Sequence, residues 1–254
     1  MFEAAEIGHK LSREQYRRIE PKLRADLLDA QFDLSRKGSF PVVVLISGVR
    51  GAGKGETVNL LNEWMDPRYI HTHAFAAMTD VERERPEMWR FWQVLPPRGT
   101  IGIFFGSWYT DPLVRRAEGM MKRTGFERRL ETIRHFERML VAEGALVLKL
   151  WFHLSKSAQK KKLRALSEDP LTAWRVTPGE WKRHDRYERY AKVVAEALRE
   201  TSTGEAPWQV IDGSDERYRA LTAGRAVLDA LTRRLDGPAP VISPSAPPPV
   251  PAID

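Results

Sequence analysis

The stretch GVRGAGKGET, residues 48–57, carries the residue types that phosphate chemistry uses, at spacings that suit it. Gly48, Gly53 and Lys54 fit the pattern G-x-x-x-x-G-K. Glycines at such a turn let the backbone N–H groups of Gly51, Ala52, Gly53, Gly55, Glu56 and Thr57 converge on phosphate oxygens, and the following helix start adds partial positive charge. Lys54 supplies a full charge to the same oxygens and is the candidate catalytic residue. The complete pattern ends in a serine or threonine whose hydroxyl binds Mg²⁺. Here Gly55 and Glu56 stand between the lysine and Thr57, so that route to a metal is out of register. Arg50 adds a second cation inside the loop. The plainer alternative is a glycine-rich helix start that only permits close strand–helix packing, but the position directly between a strand and a helix favours phosphate binding.

Further along, KSAQKKKLR (156–164), DPLTAWR (169–175) and WKRHDRY (181–187) form the most basic part of the chain. Such density suits a polyanion, or simply a solvated helical face. In TDVERERPEMWR (79–90), Asp80, Glu82, Glu84 and Arg85 taken alone read as surface ion pairs. His71 and His73 would share one side of a strand, but with no third ligand evident an ordinary loop is the better reading. Trp174 and Trp181 lie seven apart with Pro178 between them, which points to core packing rather than one helix face. Neither a nucleophile elbow with a Ser/His/Asp set nor a zinc-ligand spacing is present in the sequence.

These residues need elements to hold them. Pro41 opens VVVLIS, a β-branched run of buried-strand length, and ETVNLLNEWMD reads as the helix after the loop, stopped at Asp66-Pro67. Three more apolar runs follow: TIGIFF (100–105), ALVLKLWFHL (145–154) and WQVIDG (208–213). Strands alternating with long charged helical stretches predict an α/β fold with a parallel sheet covered on both faces. Within the third run Lys149 is expected to lay its stem along the sheet, its amine at the edge. Residues 11–37 predict an amphipathic lead-in with Leu23, Leu27, Leu28 and Phe32 on one stripe, broken in two by Pro21. The expected organisation is a helical lead-in (1–40), a P-loop domain (41–236) and a proline-rich linker or disordered tail (237–254).

Composition bounds the partners. The chain has 254 residues, no cysteine and a formal net charge of +7. Without cysteine, disulfides and thiolate chemistry are excluded, which fits a reducing cytoplasm. No apolar run approaches the roughly 20 residues of a membrane span. A basic balance favours an anionic partner, and no nucleic-acid recognition motif accompanies it.

Taken in order, GAGKGETVNLLNEWMDPRYI, RERPEMWRFWQVLPPRGTIGIFFGSWY, EDPLTAWRVTPGEWKRHDRY and PWQVIDGSDERYRA resemble the polyphosphate kinase 2 family, over most of residues 40–235. The likeness is greatest to the amino-terminal half of the tandem, two-domain polyphosphate:AMP phosphotransferase form. This resemblance implies a three-layer α/β/α sandwich of the thymidylate kinase-like P-loop type with a helical lid. It implies phosphoryl transfer between inorganic polyphosphate and AMP, ADP or another nucleotide, with Mg²⁺ at the reacting phosphates and a tendency to homo-oligomers. On the same basis the basic stretch is the lid, with Lys161, Arg164, Arg175, Lys182 and Arg183 as polyphosphate contacts. Arg85 and Arg90 fall near the acceptor nucleotide, and the proline-rich tail would lead to a second similar domain.

The match departs at charged positions. An active member resembles GRDAAGKGG at the loop, and here Arg50 stands in place of the aspartate. After the second run the family pattern has an acidic or amide residue, then RSWY, another arginine and a glutamate. Phe105, Gly106, Asp111 and Arg115 stand at those places, while Ser107, Trp108 and Tyr109 persist. An arginine in place of a carboxylate repels a divalent cation, and each lost electrostatic donor costs about 10²–10³ in rate. The expectation is a slow or inert half-enzyme, with a non-catalytic polyphosphate-binding or structural domain as the alternative.

Overall fold

The computed structural model describes residues 1–237, so the tail expected from 237 onward lies, from residue 238, outside the described residues. In chain order the helices and strands are α1 (Arg13–Lys37), β1 (Val42–Gly48), α2 (Lys54–Trp64), β2 (Ile70–Ala74), α3 (Asp80–Arg83), α4 (Trp89–Trp92), β3 (Ile101–Phe105), α5 (Thr110–Glu118) and α6 (Arg123–Ala142). They continue with β4 (Leu146–His153), α7 (Lys156–Glu168), α8 (Pro178–Asp185), α9 (Tyr187–Thr201), β5 (Trp208–Asp212) and α10 (Glu216–Asp236).

The five strands form one parallel sheet in the order β2-β3-β1-β4-β5. Its centre is β1, buried from Val42 to Ser47, as the β-branched run predicts. On one side α1, α2 and α10 pack together, and α5, α6 and α9 group on the other. The chain leaves β1 for the far edge at β2 and later crosses to β4, so the order reverses around β1. In open α/β sheets the crevice at the carboxyl ends of the strands, where the order reverses, is where ligands bind. Residues 1–9 cover the neighbouring ends of β4 and β5. There Glu6 meets His153 Nε2 at 2.8 Å, and Asp212 accepts from the His9 backbone N–H at 2.9 Å. The crevice around β1 stays open.

Three expectations need correction. Pro21 does not break the lead-in: α1 is one helix, started by a Ser12–Gln15 capping box and ended by Gly38 in the left-handed conformation. Its buried stripe is Leu23, Leu27, Ala30 and Leu34, with Leu28 and Phe32 at the half-buried margin. Packing of that stripe against α10 outweighs the one hydrogen bond that proline removes. The segment holding His71 and His73 is a strand rather than a loop, and it forms one edge of the sheet. Lys149 does not reach an edge. It is fully buried, and its amine donates to Glu137 Oε2 and to the Thr201 carbonyl, each at 2.7 Å. Burial pushes that amine's pKa down, and Glu137 opposes the shift.

Candidate functional site

The turn after β1 is built on backbone freedom. Gly51 and Gly53 have φ of +80° and +77°, which side chains other than glycine rarely adopt. Gly48 is needed for another reason: a Cβ there would stand 2.2 Å from the Phe152 carbonyl oxygen of the adjacent strand β4. The turn therefore lies flat against the sheet end and feeds directly into α2, with Gly53 as its N-cap.

Lys54 folds back over this turn. Its ammonium donates to the carbonyls of Gly48 and Val49, both at 2.8 Å. Burial, and next the cation of Arg50, bring its pKa down to about 8. An ammonium held only by neutral carbonyls has most of its charge left for an anion. Thr57 is turned away, its buried hydroxyl donating to the Gly53 carbonyl at 2.9 Å.

Above the turn stand α7, a 3₁₀ turn at Ala173–Arg175, and α8. Arg50 ties them down: it donates to the Arg175 carbonyl at 2.6 Å and lies 3.6 Å from Glu180 Oε2. A second tie runs through buried side chains. His184 Nδ1 and Gln159 Oε1 are 2.7 Å apart, and Gln159 Nε2 donates to the Arg50 carbonyl at 3.3 Å. Between turn and lid lies a cavity of about 560 Å³, reached by Lys54, Arg50, Lys182, Arg183 and Arg186. Of the turn's expected N–H donors, Ala52 already donates to the Val49 carbonyl at 3.4 Å and Thr57 to that of Gly53 at 3.0 Å. The cations gathered beside the rest of the turn suit a condensed phosphate.

A second cavity, of about 300 Å³, adjoins the β3 end and has an aromatic wall of Phe75, Phe91 and Trp108 with Arg90 and Arg129 at its polar side. Thr110 and Val114 line both cavities, so the start of α5 is a shared wall. Buried Glu137 anchors the turn leading into that wall. It accepts from Trp108 Nε1 at 3.0 Å and from the Tyr109 hydroxyl at 2.7 Å, and it pairs with Lys149.

The arginine-flanked residues here do not fit the Mg²⁺ that the resemblance implies. Thr57 is engaged with Gly53, and Glu180 is held by Arg50 and Arg183. Asp111 Oδ2 lies 3.9 Å from both Arg115 and Arg129, close enough for their charge but without a hydrogen bond. Among the described residues no three His, Cys, Asp or Glu side chains gather as a metal site.

The structure brings Arg50, Lys54, Lys182 and Arg183 together at the first cavity and Arg90 to the second. It places Lys161 and Arg164 on exposed faces of α7, outside the cavity lining. Arg175 contributes its carbonyl to the Arg50 tie, while its side chain lies over the Trp174 ring. Arg85 likewise stacks over Trp89, away from the second cavity. Trp174 is 74% exposed, which corrects its assignment to the core, and Trp181 is only half-buried. Sequence reasoning missed Gln159, Glu180 and His184, the polar hinge between lid and turn. Their signal was a charged stretch indistinguishable from solvated helix.

A family model described as polyphosphate kinase 2 matches residues 10–236. The polyphosphate:AMP phosphotransferase of Pseudomonas aeruginosa is 49% identical over 235 residues, covering 92% of this chain and 47% of the relative. The AMP/ADP-polyphosphate phosphotransferase of Meiothermus ruber is 31% identical over 198 residues, covering 78% of this chain and 74% of the relative. The crystal structure of polyphosphate kinase 2 from Arthrobacter aurescens superposes with a TM-score of 0.85 at 28% identity, covering 92% of this chain and 84% of that one. The chain thus spans about half the length of the Pseudomonas relative.

Proposed function

The chain belongs to the polyphosphate kinase 2 family, and from that premise we propose that it is a polyphosphate-dependent nucleotide phosphotransferase domain, the slower half of a two-domain enzyme. Inorganic polyphosphate lies on the Gly48–Thr57 turn beneath the lid. AMP or ADP occupies the aromatic cavity, its base against Phe91 and Trp108 and its phosphate toward Arg90. A phosphate oxygen of the nucleotide attacks the terminal phosphorus of the chain, and the P–O bond to the next phosphate breaks. Lys54, the turn N–H groups and Arg183 neutralise the charge that shifts onto the shortened chain. The observation that carries this reading is the shared wall at Thr110, which separates a cationic phosphate cavity from an aromatic one.

The low rate follows from charge. Arg50 stands in the turn where the family pattern has an aspartate, and Glu180 and Asp111 lie beside arginines. A second reading, a polyphosphate-holding domain that supports an active partner domain, is favoured by Arg50. That residue clamps the lid instead of providing a metal ligand. The names of the relatives support AMP or ADP as acceptor, and the length of the Pseudomonas relative, about twice the matched span, supports a second domain. A homo-oligomer in the cytoplasm completes the proposal; no helix among the described residues is long and apolar enough to cross a membrane.

The test is ADP formation by the 254-residue chain from AMP and polyphosphate, alongside calorimetric binding of polyphosphate. Tight, salt-sensitive binding with little ADP is expected, and Lys54→Ala should weaken both. Rapid ADP formation that Lys54→Ala abolishes would overturn the slow-half reading. Absence of polyphosphate binding at low salt would overturn the function itself.

A further inference from the structure

Directly behind the phosphate turn lies a buried cation with no carboxylate of its own. Arg219, in the first turn of α10, is 5% exposed. One of its terminal nitrogens donates to the Gly213 carbonyl at 3.2 Å, and its Nε is buried without a partner. Among the described residues no carboxylate oxygen comes within ion-pair distance of it. Glu56, Glu216 and Asp215 act on it only from farther away, and burial opposes its charge. The other deeply buried cation, Lys149, contrasts with it by meeting Glu137 directly. An unpaired buried charge is costly to a fold, and such a group persists where something else compensates it.

The position of the guanidinium indicates what compensates it. A Cβ on Gly53 would stand 2.0 Å from Arg219 Cζ and 2.2 Å from its terminal nitrogen. The guanidinium thus fills the space where Gly53 would carry a side chain, and Arg219 is not among the residues lining the cavity that Lys54 reaches. Gly53 is the N-cap of α2 and sits at φ +77°, so Arg219 both requires a glycine there and holds its backbone in that conformation. Gly213, which accepts from Arg219, is itself packed so closely on Ala52 that a Cβ would stand 2.7 Å from the Ala52 carbonyl oxygen. The guanidinium is therefore wedged between the turn and the end of β5.

We propose that Arg219 is a positioning residue of the phosphate site, and that a phosphate chain bound on the turn is its counter-charge, acting across the backbone of Gly53. This rests on the phosphate reading of the turn. The fold carries the charge unpaired when the turn is empty, and binding of a polyanion relieves it. Arg219 touches no substrate; it sets the turn's shape and adds a fixed positive potential that Lys54, titrating near pH 8, cannot guarantee. One charge acting over several ångströms at an effective dielectric of about 20 contributes roughly tenfold in affinity.

The test uses inorganic tripolyphosphate, isothermal calorimetry near pH 7 and thermal melts on the full chain. Arg219→Gln and Arg219→Met should bind tripolyphosphate at least about tenfold more weakly, with ligand-free melting temperatures no lower than the parent's. Arg219→Lys, which keeps the charge, should recover most of the affinity. Tripolyphosphate should also raise the melting temperature of the parent more than that of either uncharged variant. If a folded uncharged variant binds as tightly as the parent, the proposal fails while the phosphate site stands. If both uncharged variants fail to fold, Arg219 is a structural strut and the proposal also fails. A parent that does not bind tripolyphosphate would remove the phosphate reading and this inference together.

Discussion

Lys54 gives the phosphate site a pH dependence whose size follows from its surroundings. Its ammonium touches only the Gly48 and Val49 carbonyls, and burial together with Arg50 brings its pKa to about 8. In the empty site it is roughly nine-tenths charged near pH 7 and about one-tenth charged near pH 9. A bound polyanion favours the charged form and raises the pKa, so binding above pH 8 must take up a proton. The sign is therefore loss of affinity as pH rises, by about tenfold between pH 7 and pH 9. Isothermal calorimetry with tripolyphosphate at constant ionic strength, in buffers of different ionisation enthalpy, reads both the affinity and the proton uptake. Lys54→Arg is the control, because a guanidinium stays charged throughout and removes the dependence that belongs to this side chain. Tripolyphosphate itself gains charge over this range, so the comparison is the parent's change relative to that of Lys54→Arg. Equal pH profiles for the two proteins, or no net proton uptake near pH 9, would refute the reasoning.

Two other predictions concern the lid and the buried pair. Arg50→Ala removes the tie to Arg175 and Glu180, an interaction half open to solvent. Amide exchange at residues 173–183 should then quicken by up to about fivefold with little change in melting temperature, and unchanged exchange would mean that Arg50 is not a latch. Glu137→Ala strands the Lys149 ammonium in the core and should cost about 3–5 kcal/mol in urea denaturation. A double-mutant cycle of Glu137→Gln and Lys149→Met should give a coupling of about 1–3 kcal/mol, and strict additivity would count against the pair.

How far the sequence foretold this molecule depended on which interactions specify each part. The strand–turn–helix of residues 42–64 was legible because glycine spacing and a continuous β-branched run are local signals. Strand β2 was not: only Ile70 of its five residues is buried, so neither alternation nor an apolar run marks it, and pairing with β3 makes it a strand. The continuity of α1 through Pro21 is likewise a tertiary effect, visible only once α10 lies beside it. At the site, charge density named the lid but not which of its side chains face inward. Lys161 and Arg164 point to solvent while the uncharged Gln159 of the same helix reaches the turn. Arg219 had no signal at all, since DERYR reads as an ordinary exposed helix start until Gly53 is found against it.

The packing of α1 on α10 also bears on how the chain is made. The Leu23 side chain lies 3.2 Å from where Gly224 would carry a Cβ, so the two helices fit at close quarters. On the ribosome α1 emerges among the first segments and α10 among the last of those described here. Synthesis at about 5–20 residues per second leaves the apolar stripe of α1 without its partner for on the order of ten seconds or longer. Through that interval the helix is a surface for chaperones or for another nascent chain, and it settles only when the sheet it flanks is complete. Long-range closure of this kind slows folding relative to a fold built from sequence neighbours. It also makes truncations that remove α10 more damaging than their length alone would imply, because they leave the distant α1 without a place to pack.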